Sequence, residues 1–258
     1  VTFTTAVCTG SLILQKAGLL KGRKATTHWM LVEELAKDSN TTVLPDMRYV
    51  RDGNIITSQG VSAGIDMSLW LLGQLHTPDH ARQVRKLLQY DPAPPYLAEV
   101  SVRESLMKNV EIFVYDQAAG LDVMGPLEVF SAANALRHEA GEKSAYKVRI
   151  SAAQKGLVTL SGGAQLHAMQ RLTAGQPLDY LVVVGGVGYE SQLTDLPLMQ
   201  RLKQRAEDSH YLVSICTGAF LLAEVGALDN KSCTTHWRCV DALIEQYPKV
   251  HVNPDAIY

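Results

Sequence analysis

The chain has 258 residues, of which 47% are hydrophobic and 19% charged, with a formal net charge of −2, the ordinary balance of a globular protein. That charge supplies no electrostatic pull towards nucleic acid or an anionic membrane, and no apolar run approaches the ~20 residues that span a bilayer. The four cysteines, Cys8, Cys216, Cys233 and Cys239, make neither a disulfide framework nor a paired Cys-x-x-Cys zinc pattern, so no metal is expected, and a reducing cytoplasmic setting without a secretory leader is.

The chain opens inside a predicted strand that ends at Cys8 and turns into an apolar helix near Gly10. Ala25-Thr-Thr-His28-Trp29 follows, then a helix, a turn at Val50-Arg-Asp-Gly53 and a strand over 54–57. Helices are predicted over 66–75 and 78–90, closed by the breaker-rich Asp91-Pro-Ala-Pro-Pro95, where proline cannot continue a helix. Beyond a linker come a β-rich run over 110–115, a helix over 125–136 and strands over 146–151 and 157–160. Residues 180–184 form a continuous apolar run ending in Gly185-Gly186, the mark of a strand buried on both faces of a parallel sheet. An amphipathic helix with a basic outer face is predicted over 196–208. A second buried strand over 211–215 ends at Cys216, and a helix over 218–225 is stopped by Gly226. Strands alternating with helices imply an α/β fold: a parallel sheet with helices on both faces.

One signature occurs twice. Thr5-Ala-Val-Cys8-Thr9-Gly10 leads to Ala25-Thr-Thr-His28-Trp29, and Val213-Ser-Ile-Cys216-Thr217-Gly218 leads to Cys233-Thr-Thr-His236-Trp237, with the same Cys-to-His spacing. Residues 1–100 therefore read as the back half of a domain and 101–109 as a linker. Residues 110–258 read as a front half plus a second elbow, truncated at its C-terminus, so a fragment, a fusion or a permuted arrangement is expected. Placed in the order 107–215 then 8–100, the pieces complete one domain. On that basis the strands before Cys8 and Cys216 compete for one central slot unless a second chain supplies another sheet.

A buried strand that turns sharply into a helix at a cysteine is a nucleophile elbow. The helix dipole and free N–H groups are expected to favour the thiolate and lower its pKa. Gly10 and Gly218 are expected to let the helix pass close to the neighbouring strand. The N–H of Thr9 or Thr217, following each cysteine, is placed to bind a developing oxyanion. The alternative is a small apolar residue packed at a strand end. Asp122, in Leu121-Asp122-Val-Met-Gly125-Pro126, is expected at the carboxyl edge of the sheet, where ligands bind in open α/β folds. Its alternative role is to cap a helix that starts at Gly-Pro. Gly185 and Gly186 are placed to present N–H groups to an anion, or to serve a tight turn. His28 and His236, on a predicted strand after each elbow helix, are either bases for the thiol or structural hydrogen-bonding groups. Asp66 reads as a first-turn helix acid.

These residues together resemble the ThiJ/PfpI superfamily, which has the class I glutamine amidotransferase-like fold. Residues 1–97 are similar to the back half of its isonitrile hydratase branch, through Cys8-Thr9-Gly10-Ser11, Ala25-Thr-Thr-His28-Trp29, Val50-Arg-Asp-Gly53-Asn54, Ala63-Gly-Ile-Asp66 and Tyr90-Asp-Pro-Ala-Pro-Pro95. Residues 107–258 resemble the front of the superfamily, through Leu121-Asp122 with Gly125-Pro126, Gly185-Gly186-Val-Gly188 and Ser214-Ile-Cys216-Thr-Gly-Ala-Phe220. The stretch from Cys233 to the end is closer to the amidase-like N-terminal domain of AraC-type transcriptional regulators.

The resemblance implies a flavodoxin-like sandwich, a homodimer, no organic cofactor or metal, and the cysteine as nucleophile. In isonitrile hydratases the cysteine attacks the isonitrile carbon and an aspartate in the Asp122 position assists with water and proton transfer. The peptidase-like branch carries histidine where Thr9 and Thr217 stand, so protease activity is disfavoured. The expected function is thus an isonitrile hydratase-like lyase acting on a small molecule. The alternatives are a ligand sensor from an AraC-type regulator, which binds no nucleic acid through this stretch alone, and a join of two genes without native activity.

Overall fold

The computed structural model describes residues 3–90 and 107–256; the breaker-rich 91–95 and most of the predicted linker lie outside them. The chain divides into two compact units, Val1–Val100 and Ser101–Tyr258. No helix among the described residues is long and apolar enough to cross a membrane.

The second unit is built on a five-stranded sheet whose ladder pairs are all parallel. Its order is Gln170–Arg171, Tyr146–Ala152, Lys108–Phe113, Leu178–Val183, Ser209–Ser214. Without the two-residue edge strand this is 2-1-3-4, the opening of the flavodoxin-like 2-1-3-4-5 order, which places a switch point between Lys108–Phe113 and Leu178–Val183. The apolar run of Leu178–Val183 is explained by its place. Val182 sits opposite Ile112 on one side and Val213 on the other, and Leu181, Val183 and Val184 are fully buried. Each such side chain contributes roughly 1.5–3 kcal/mol. Helices Gly120–Glu139, Leu196–Glu207 and Gly218–Glu224 flank the sheet. The last ends where expected, at Gly226 with φ +76°, a left-handed stop that glycine adopts without strain.

Four expectations change. The first strand begins at Lys108, inside the predicted linker, because the Lys108 N–H bonds to the Ala145 carbonyl at 2.7 Å. The helix predicted from 125 starts at Gly120 and carries Pro126 in its interior. Its first turn is held by tertiary contacts: Val123 is fully buried, and the Ala119 N–H donates to the Gly185 carbonyl at 2.8 Å. Ser209–Ser214 is an edge strand, with Tyr211 52% and Val213 38% exposed, and not the buried strand its composition suggested. The 196–208 helix is not basic only on its outer face. Arg205 is 3% exposed and bonds Glu111, 1% exposed, through Nε and an Nη at 3.0 and 2.7 Å.

The first unit is smaller. Thr4–Val7 pairs parallel with Ile55–Ser58, which pairs antiparallel with Tyr49–Asp52. Leu20, Ala25, Leu35 and Ile55 form its core cluster. Helices Gly10–Lys16, Ala63–Leu75 and Pro78–Leu87 complete it. Asp66 lies in the first helical turn, as expected, and pairs with Arg48 at 2.5 Å. Each elbow strand finds a parallel partner within its own unit: Thr4–Val7 with Ile55–Ser58, and Ser209–Ser214 with Leu178–Val183.

Removing one partner of a buried ion pair strands the other charge. Arg205→Ala should therefore destabilise the second unit by about 3–5 kcal/mol, read as a fall in its urea midpoint. Arg205→Met combined with Glu111→Leu should recover most of that loss. An unmoved midpoint in the single variant would contradict the assignment.

Candidate active site

Two elements end beside the switch point and a third turns over it. Cys216 follows Ser209–Ser214 with φ +54°, a left-handed backbone that an L side chain adopts only at a cost. The Thr235 hydroxyl holds it there by donating to the Cys216 carbonyl at 2.8 Å. The first copy is built alike: Cys8 has φ +57°, and the Thr27 hydroxyl donates to its carbonyl at 2.9 Å. The second threonine of Thr-Thr-His-Trp is therefore the elbow's tie in both units. After Cys216 the chain enters Gly218–Glu224. A Cβ on Gly218 would strike the Val183 carbonyl oxygen, so only glycine lets this helix cross so close to the strand. Gly10 has no such constraint: a Cβ there would meet Ala6 Cβ at an ordinary 3.4 Å.

Asp122 reaches the elbow from the first turn of Gly120–Glu139. It caps nothing; its Oδ2 accepts the Gly185 N–H at 3.1 Å. Cys216 Cβ, the Thr217 nitrogen and Asp122 Oδ2 lie 2.6, 2.6 and 2.9 Å from the point a Cβ on Gly185 would occupy. The missing side chain at Gly185 is thus what brings nucleophile, amide and carboxylate together. The Gly186 N–H donates to Thr217 Oγ1 at 3.0 Å, and Thr217 Oγ1 donates to the Gly186 carbonyl at 3.1 Å. Both glycine N–H groups are therefore engaged within the site; the sequence left them either facing an anion or serving a tight turn. The N–H that faces the sulfur is that of Thr217.

The electrostatics run against the expected low thiol pKa. Burial first, then the charge of Asp122, push the Cys216 thiol up to about 11, although the Thr217 N–H and hydroxyl pull it down. Burial likewise raises Asp122 above the usual carboxylate range, against the Gly185 N–H and His236. The helix-terminus effect of about 0.3–1 kcal/mol is outweighed by desolvation of a largely enclosed thiol. At neutral pH the resting group is a thiol beside a carboxyl, and a proton has to move when sulfur attacks.

His28 and His236 are not on strands. Each caps a short 3-10 turn, Trp29–Leu31 or Trp237–Cys239, with Nδ1 accepting the N–H two residues on at 3.3 Å. In the first unit, Cys8 Sγ and His28 Cδ2 both border the space a Cβ on Gly60 would enter. Thr9 stands at the N-cap of Gly10–Lys16 without a side-chain cap bond. Asp122 belongs to the other unit.

Two residues of the second unit were missed. Thr235 was visible as part of the repeat but had no assigned task. Tyr115, 2% exposed, donates its hydroxyl to the Val184 carbonyl at 3.0 Å; burial raises its pKa, and the Thr217 hydroxyl pulls it down. In sequence it is one more aromatic at a strand end. Among the described residues no cluster of His, Cys, Asp and Glu is arranged to hold a metal ion. An open hollow lined by Asn109, Asp179 and His210 lies at the amino ends of the strands, the opposite edge of the sheet from Cys216.

The description "DJ-1/PfpI family" belongs to the family model that matches residues 2–74 and 108–253. An isonitrile hydratase of Pseudomonas putida is 47% identical over 94 residues, covering 36% of this chain and 40% of that protein. The HTH-type transcriptional regulator GbdR of Pseudomonas aeruginosa is 31% identical over 96 residues, covering 37% of this chain and 26% of the regulator. The chain thus spans less than half the length of either. A crystal structure of a ThiJ/PfpI family protein from Pseudomonas syringae superposes with a TM-score of 0.50 at 22% identity, covering 63% of this chain and 64% of that one, which is a likeness of fold.

Three outcomes check this geometry. Alkylation of Cys216 by iodoacetamide, followed by peptide mapping, should keep rising with pH towards about 11. Asp122→Asn removes the charge that disfavours the thiolate, so it should move that profile to lower pH; a profile shifted upward or not at all would contradict the pairing. Thr235→Val, which leaves the elbow carbonyl without its donor, should lower the stability of the second unit by about 1–3 kcal/mol in urea unfolding.

Proposed function

The chain belongs to the DJ-1/PfpI family, and from that premise we propose that it is a cysteine-dependent hydratase of small isonitriles, with Cys216 as nucleophile and Asp122 as the proton carrier. The observation that carries this reading is the convergence of Cys216, the Thr217 N–H and Asp122 on the space left by Gly185. Likeness to an isonitrile hydratase over part of the chain supports the substrate class.

The residues suit the chemistry. Burial raises the Asp122 carboxyl, and a general acid–base group works best with a pKa drawn towards the operating pH. As sulfur bonds to the terminal isonitrile carbon, the thiol proton passes to Asp122 and from it to that carbon, giving a thioimidate on Cys216. Water then adds to the same carbon, and one of its protons passes through Asp122 to the imine nitrogen, giving a tetrahedral adduct on Cys216. As the C–S bond breaks and C=O forms, the hydroxyl proton passes through Asp122 to sulfur, the thiol is restored, and the product is the N-substituted formamide, which is isonitrile plus one water. Thr217 N–H, the donor facing the sulfur, stabilises charge that develops there. No metal or organic cofactor enters these steps.

The second reading is a ligand-sensing domain of an AraC-type regulator. It is supported by a thiol held up to about 11, a poor resting nucleophile, and by the regulator likeness. A homodimer in a cytoplasmic setting, with a small molecule as substrate or ligand, is proposed under both readings, and sedimentation equilibrium checks the assembly.

Turnover of an alkyl isonitrile, followed by NMR of the formamide proton, separates the two. The hydratase predicts formamide, its loss in Cys216→Ala, and a kcat lower by about 10²–10⁴-fold in Asp122→Asn with the fold intact. Cys8→Ala should leave turnover unchanged. Isonitrile binding without formamide favours the sensor, and turnover that survives loss of both Cys216 and Cys8 refutes a thiol mechanism.

A further inference from the structure

We infer that Tyr115 is a positioning residue of the Cys216 site, fixing the Gly185–Gly186 turn through Val184 and Thr217. This rests on the hydratase reading only for its effect on turnover. Tyr115 lies two residues past the strand Lys108–Phe113, which neighbours Leu178–Val183, and is 2% exposed. Its hydroxyl donates to the Val184 carbonyl at 3.0 Å, the peptide just before the turn. The Thr217 hydroxyl, which acts on the phenol to lower its pKa, exchanges bonds with the Gly186 N–H and carbonyl at 3.0 and 3.1 Å. One phenol therefore holds the residue before the glycine pair, next to the side chain that clamps the second glycine.

The turn needs such a clamp. Gly186 has φ +144° and Gly185 lacks a side chain of its own, and glycine backbone is the most mobile in a chain. Yet the Gly185 N–H must stay on Asp122, and the room beside Cys216 must stay open for a reacting carbon. The loop on the far side is stitched to the same turn: the Ala119 N–H donates to the Gly185 carbonyl at 2.8 Å, and Ala118 bridges Gly186. Tyr115 holds the strand side of this turn. Productive geometry is lost with displacements of about 1 Å, so loosening it costs the chemical step more than binding. Tyr115 does not itself touch the reacting atoms.

The test compares Tyr115→Phe with wild type in the full chain by two readouts. Amide hydrogen exchange should be at least tenfold faster in peptides covering residues 184–188 and unchanged in the Lys108–Phe113 strand. For an alkyl isonitrile, kcat should fall at least tenfold while KM stays within twofold. Thr217→Val should reproduce both effects, the double variant should add little to either single one, and Thr217→Ser should restore them. Should Tyr115→Phe fail to fold, the contrast between Thr217→Val and Thr217→Ser decides alone. Unchanged exchange over 184–188 overturns the inference whatever the turnover, and so does faster exchange with an unchanged kcat. If wild type hydrates no isonitrile, the hydratase reading fails, and exchange alone decides whether Tyr115 fixes the turn.

Discussion

A left-handed cysteine at the end of a parallel strand is the constraint on which the site depends. At φ +54° the Cys216 backbone turns its carbonyl to the Thr235 hydroxyl and its side chain to the space above Gly185. Such a conformation costs about 1–2 kcal/mol for a residue with a Cβ. It persists because the threonine tie, the close crossing at Gly218 and the buried helix after it all require the same turn. Strain of this kind gathers at functional sites because surrounding structure over-determines it.

Desolvation then decides the chemistry. Burying the thiol beside a carboxyl raises both groups, with burial the larger cause for each. The helix terminus that would favour a thiolate is outweighed, and the site stores its proton on sulfur until a substrate arrives. This couples the order of events to the fold: nucleophile and acid are one unit, and the glycine that admits the carboxylate is the glycine that makes room for a substrate.

Much of the frame was legible in the sequence. The apolar run before Gly185-Gly186 identified the central strand, the duplicated Cys-Thr-Gly marked both elbows, and Asp122 was placed at the carboxyl edge by its distance from a strand. What was not legible depends on contacts far apart in the chain. Arg205 looked like a solvated helix charge because Glu111, its partner, sits on a distant strand. Ser209–Ser214 looked central because composition does not report whether a second neighbour exists. The histidines read as either bases or structural hydrogen-bonding groups, and the 3-10 turns in which Nδ1 caps the next residues are not visible in the sequence. Gly125-Pro126 looked like a helix start, yet packing at the sheet edge begins the helix at Gly120. Pattern identifies elements; it does not show which polar groups already have partners.

The central claim is that Cys216 bonds covalently to the substrate carbon. The direct measurement is acid quench during turnover of an alkyl isonitrile, followed by peptide mass mapping of all four cysteines. The account predicts a mass increase of one isonitrile on the peptide carrying Cys216 and none on that carrying Cys8. Steady formamide production with an adduct on Cys8 alone, or with no adduct at any quench time, would contradict it.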